Sequence, residues 1–204
     1  MTTDLDFRKI IYLTIIFIVF TVVGTLSHEL GHISVARYFG FETRLSFAHM
    51  EWNDEGSSAF HQFWIAAGGP IQTMLFGTIG LLLLIKRKAS IRLKGFQNID
   101  WLLLFLGLFW SREIFNLSVR LGSYALGIDE LPFGGDEAFL SESNGLYSGT
   151  FPIIFGILGL LICCYLTLVL LAKNERLNFF IATAFGFPSG YLIWMDWLGP
   201  MLLP

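Results

Sequence analysis

The sequence predicts an all-α, polytopic membrane protein, and three observations carry that prediction: an apolar composition, five long apolar runs and a lopsided distribution of charge. Of 204 residues, 54% are hydrophobic and only 14% are charged, with a mean hydropathy of +0.65. A soluble domain is about one quarter charged, so lipid must be the solvent for most of this chain. A bilayer-spanning helix needs roughly 20 apolar residues. Five stretches qualify: Ile10 to about His28, Phe63 to Ile85, Trp101 to Leu121, Phe151 to Ala172, and Phe179 to Leu198. Little is left over, so residues 1–204 read as a single integral membrane domain without appended modules. Nothing in the composition points to nucleic acid, and no pattern specifies an oligomeric state.

The first run, Ile10 to Ser27, is longer than the apolar core of a signal peptide, about 7 to 15 residues, and no small-x-small cleavage site follows it. It is expected to be a retained span. Lys86, Arg87, Lys88, Arg92 and Lys94 stand together without an acid, whereas Asp129, Glu130, Asp136, Glu137 and Glu142 stand together without a base. The positive-inside rule puts the basic stretch in the cytoplasm. Arg8, Lys9, Lys173 and Arg176 fall on the same side if there are five spans, giving N-terminus in and C-terminus out. Uncleaved insertion with basic inner loops fits a multi-pass protein of a plasma membrane of bacterial type.

At the end of the first span stands His28-Glu29-Leu30-Gly31-His32. On a helix the two histidines project from one face about one turn apart, so both imidazoles can reach a single ion. Glu29 beside them has the position of a general base that takes a proton from metal-activated water. A five-residue pattern recurs by chance, but two histidines and a carboxylate at the end of an apolar span are costly and are usually retained for function. Catalytic zinc takes three protein ligands and leaves the fourth position open. His49, His61, Glu113, Asp129 and Asp136 all lie on the same side as the motif and are candidates for the third.

Between the first two spans, Leu45, Phe47 and His49 alternate with Arg44, Ser46 and Ala48, and Asn53 to Gly56 supplies a turn signal. Period-two alternation followed by such a turn predicts a short β-hairpin, whose edge could accept an extended peptide. In the second span Gly69, Thr73 and Gly77 recur every four residues, a spacing that lets membrane helices approach closely. The third span carries Arg112, Glu113, Asn116 and Arg120; the last three share a face. Asn116 could donate to a developing oxyanion, or Glu113 and Arg120 could pair to stabilise the bundle. Cys163 and Cys164, adjacent in the fourth span, read as small apolar packing.

These stretches together resemble the site-2 protease family of intramembrane zinc metalloproteases, in its small, module-free branch. Thr25 to Gly40 is similar to the family's metal-binding helix, Ala66 to Gln72 to the glycine-proline motif of its next helix, and Gly134 to Leu140 to its aspartate-bearing element. The resemblance implies that His28, His32 and Asp136 hold Zn2+, that Glu29 is the catalytic base, and that Gly68 and Gly69 bring backbone near the substrate. One departure is visible: the family's Asn-x-x-Pro-x-Pro-x-Leu-Asp-Gly run is missing, for Asn116-Leu117 is followed by no such prolines and Asp136 lies 20 residues on. Glu113, a carboxylate inside a span, is the reserve ligand. The expected activity is hydrolysis of peptide bonds in a membrane-embedded peptide or protein. The rival readings are a metal transporter and a non-catalytic metal-binding membrane protein.

Overall fold

The computed structural model describes residues 5–204. Five helical spans are long and apolar enough to cross a membrane, all but the fourth longer than the apolar run that predicts them: Phe7–Tyr38, Ala59–Lys94, Asn98–Ala125, Thr150–Leu170 and Arg176–Leu202. The first is α1 and the second α2. The third is built from α3 (Asn98–Gly107), a 3-10 turn (Leu108–Trp110) and α4 (Ser111–Ala125). A short helix, α5 (Asp136–Ser143), precedes α6 (Thr150–Tyr165), which runs into a π-helical turn. The last span is α7 (Arg176–Leu192), extended by another π-helical turn and a final α-turn.

Each helix sorts its side chains by solvent. Along α1, Ile11, Ile15, Val19 and Val23 recur every four residues and are all at least half exposed, which in a bilayer means lipid-facing. Leu13 and Phe17 on the opposite face are fully buried. Phe17 anchors the centre: its ring lies 5.0 Å from that of Phe105, 5.3 Å from Phe179 and 4.9 Å from Phe187, so one aromatic residue joins the first, third and fifth spans. Aromatic pairs at such distances add about 0.5–1.5 kcal/mol each beyond the area they bury.

One end of the bundle is fastened by charge. Lys9 pairs with Glu175, the Asp6 amide donates to Asn178 Oδ1 at 3.1 Å, and Arg87 Nε meets Asp100 Oδ1 at 2.5 Å. These contacts gather the start of α1, the end of α2 and the turns around α3 and α7, the same residues that carry most of the basic charge. His28 to His32 lie toward the other end of α1.

The predicted hairpin is present as β1 (Thr43–Leu45) and β2 (Met50–Trp52), paired antiparallel with Thr43 opposite Trp52. Its reversal is at Ser46 to His49, not at Asn53 to Gly56, which follows β2. The cause is local: the Ser46 amide donates to the His49 carbonyl at 3.0 Å, and the Ser46 hydroxyl accepts from the His49 amide at 3.3 Å. A serine that bonds to its own turn needs no glycine. The stretch 122–150, which holds no apolar run long enough to span, contains α5. Gly135 opens that helix at φ +80°, a conformation a side chain would strain, and so sets Asp136 at its first position.

Candidate metal centre

The site forms where α1, α2 and α5 meet. His28, Glu29 and His32 are 1%, 5% and 6% exposed, deep burial for polar groups in a membrane span. Glycines make this possible. A Cβ on Gly31 would stand 2.5 Å from the Gly68 carbonyl oxygen, and one on Gly68 would stand 2.6 Å from the Gly31 carbonyl oxygen. The α1 and α2 backbones therefore touch at this pair. Gly69 lies directly against the two imidazoles.

The hydrogen bonds assign the histidine tautomers. His32 Nδ1 lies 2.7 Å from the Ile65 carbonyl, which can only accept, so Nδ1 carries the proton. The Gly69 amide is 3.3 Å from the same nitrogen, but a nitrogen that donates has no lone pair to offer it. Pro70 lies just beyond, without an N–H and with a ring that crowds the preceding turn of α2. His28 Nδ1 lies 3.0 Å from the Thr73 hydroxyl, which turns its own hydrogen toward Gln72 Oε1 at 3.4 Å. Gln72 in turn bonds to Ser27 of α1. Both imidazoles are thereby fixed with the Nε2 lone pair pointing inward, the orientation that partners on the far nitrogen impose on metal-binding histidines.

The two Nε2 atoms are 3.1 Å apart, and Asp136 Oδ2 stands 3.2 Å from each. Three acceptor atoms thus face a common centre, an arrangement that repels unless a cation lies among them. Tetrahedral coordination with bonds of about 2.0 Å has ligand-to-ligand edges of about 3.3 Å. The observed triangle matches that face within about 0.2 Å, the tolerance expected of a metal site. Two imidazoles and a carboxylate are a donor set that suits a divalent cation such as zinc.

Glu29 lies a step outward. Its carboxylate also falls within 4.8 Å of the histidine nitrogens, so His28, Glu29 and His32 form a second possible triad. Asp136 Oδ2 is the carboxylate oxygen that stands 3.2 Å from both Nε2 atoms. Glu29 is held elsewhere, by the backbone N–H of Met50 in β2 and by Arg112 Nη2 at 3.9 Å.

The remaining candidates lie apart from the triangle. His49 is exposed beside Glu51, at 3.6 Å. His61 completes the capping box of α2 with Ser58 and packs on Phe39 and Phe41. Asp129 faces Arg120 at 3.5 Å. Glu113, the reserve ligand, instead meets Glu137 of α5, carboxyl to carboxyl. Burial, and then the neighbouring Asp136 carboxylate, push Glu137 upward. Asn116 lines a small cavity with Glu113, Arg120, Gly134 and Glu137, with room for about one water molecule. The α4 residue that reaches Glu29 is Arg112.

Three partners were not legible in the sequence as parts of the site. The Ile65 carbonyl carries no side-chain signal. Thr73 looked like one member of a small-residue stripe. Arg112 was visible as a costly charge in a span, the signal that could have singled it out. Set against protein-family models, curated proteins and solved structures, the chain matches none.

Proposed function

We propose that this protein is an intramembrane zinc metalloprotease, related to the site-2 protease family by the resemblance of its motifs, that hydrolyses peptide bonds of membrane-embedded substrates. The observation that carries the reading is the inward-facing triangle of His28 Nε2, His32 Nε2 and Asp136 Oδ2 with a further carboxylate, Glu29, beside it. A purely structural metal site has no need of that fourth group.

His28, His32 and Asp136 would hold the zinc. When bound, zinc supplies Lewis acidity that polarises a carbonyl and brings the pKa of water toward about 7. The chain's own residues do the rest. Glu29, fixed by the Met50 amide, accepts a proton from water on its carboxylate and returns it to the leaving amine nitrogen. Thr73 and the Ile65 carbonyl keep each imidazole turned inward. An intact substrate helix hides its carbonyls in internal hydrogen bonds, so the cleaved segment must unwind, and the β1–β2 hairpin beside Glu29 is suited to receive it as an added strand.

The test compares wild type with Glu29→Gln in detergent, measuring bound metal by mass spectrometry and cleavage of a panel of transmembrane peptides. Both should retain metal, with cleavage by Glu29→Gln reduced about 10²- to 10⁴-fold. Cleavage by neither, with equal metal flux into proteoliposomes by both, would overturn the protease reading in favour of transport.

A further inference from the structure

We infer that Arg112 is the oxyanion donor of this site: its guanidinium binds the carbonyl oxygen of the scissile bond as negative charge gathers there. The inference rests on the protease reading and goes beyond it, since neither the His-Glu-x-x-His pattern nor the resemblance assigns a role to this residue.

An arginine within a span is costly and is normally matched to partners. A guanidinium offers five N–H donors in a rigid fork. Arg112 commits little of that capacity: Nη2 stands 3.9 Å from Glu29 Oε1, a long contact through a single nitrogen, and Nε is buried with no hydrogen-bond partner among the described residues. A pairing built for stability would be bidentate and shorter. The side chain is nevertheless not sealed off, being 27% exposed while Glu29 is 6% exposed. It therefore borders the general base, carries spare donors and keeps an open side. A carbonyl brought up for attack from the Glu29 side would meet it.

Its charge reaches the rest of the centre as well, acting on His28, Glu29, Glu113 and Glu137. In a water-poor cavity a fixed cation aimed at a forming anion is strongly effective, and it requires no reorganisation when the charge appears. The step balances as follows. Glu29 takes one proton from water as the water oxygen bonds to the carbonyl carbon, and the C=O π pair moves onto the oxygen held by Arg112. Collapse restores the C=O bond and breaks C–N, the Glu29 proton goes to the departing nitrogen, and the new carboxylic acid releases the remaining proton.

Asn116 is the other donor of α4 that could serve, but it lines the cavity with Glu113 and Glu137. The competing explanation for Arg112 is neutralisation of the buried carboxyls, which a tetrahedral mimic separates from oxyanion binding.

Wild type, Arg112→Lys and Arg112→Gln are prepared zinc-loaded, and four quantities are read: zinc content, kcat and KM on a cleaved transmembrane peptide, the Kd of a phosphinic peptide bearing a tetrahedral anionic centre, and the Kd of its neutral N-methylamide counterpart. Arg112→Gln should keep its zinc and its KM, lose kcat about 10²- to 10³-fold, and bind the phosphinic peptide weaker by a similar factor while its N-methylamide affinity changes less than threefold. Arg112→Lys should recover part of both losses. Equal loss of affinity for both ligands, loss of zinc by both variants, or kcat within threefold of wild type for Arg112→Gln would each overturn the role. If wild type cuts none of the peptides yet binds the phosphinic peptide in an Arg112-dependent way, proteolysis falls and the anion-binding role of Arg112 stands.

Discussion

Replacing Gly69 by alanine tests the metal centre through its packing, without touching a ligand. A Cβ at this position would stand 2.5 Å from His28 Nε2 and 2.7 Å from His28 Cε1, with His32 Nε2 closer still. Restoring ordinary van der Waals contact requires the two Nε2 atoms to retreat by about 0.9 to 1.1 Å. Metal-ligand distances tolerate about 0.2 Å, so the triangle cannot survive as built. The fold should survive, because what the methyl meets is the far end of two side chains and not backbone. Disturbing the support of a metal ligand costs about 10- to 100-fold in affinity; a displacement several times the tolerance belongs at the upper end, about 2.7 kcal/mol. Competition with a chromophoric zinc chelator gives the affinity, while circular dichroism and size-exclusion chromatography report the fold. Gly24→Ala, where a Cβ meets nothing within 4 Å, is the control. A Gly69→Ala protein that binds zinc within threefold of wild type would refute the reasoning.

Two further outcomes follow from the same geometry. Asp136→Ala should lose most of its bound zinc and Glu113→Gln should keep it, measured as metal per purified protein; the reverse pattern would transfer the third-ligand role to Glu113. At the opposite end, Asp100 is fully buried against Arg87 and also accepts from the Gln97 amide at 2.9 Å. Arg87→Met strands that carboxylate and should lower the Tm in detergent more than Asp100→Asn, which removes the charge and can keep the amide bond; the opposite order would show that Arg87 is not the carboxylate's principal partner.

The five spans were readable because lipid imposes one rule on every residue of a helix, and hydropathy needs no knowledge of neighbours. The boundaries were not, since α1 and α2 extend well past their apolar runs into segments where charged and polar residues continue the helix. His28, Glu29 and His32 were readable because a single helix sets their spacing. Asp136 lies 104 residues beyond His32 in sequence, and no local periodicity ties the two together; the side of the membrane left it one of five candidates, and only the resemblance singled it out. Glu113, Asn116 and Arg120 were rightly gathered on one face, but what that face meets, Gly134 and Glu137 at the start of α5, depended on a short helix that no apolar run announces. The suggested Glu113–Arg120 pair gave way for the same reason, with each finding its partner in the 122–150 region.

The short 3-10 turn at Leu108–Trp110 carries a consequence for how α4 presents its charges. Three residues wound at three per turn advance about 60° further around the axis than three residues of α-helix. Everything downstream is rotated in phase, so a helical wheel drawn from Trp101 misplaces Arg112 and Glu113 by a sixth of a turn. The orientation of the polar half of this span is therefore set by winding within the apolar half. A change at Leu108 to Trp110 that lets the α-helix run straight through would swing Arg112 away from Glu29 while leaving every residue of the metal centre in place.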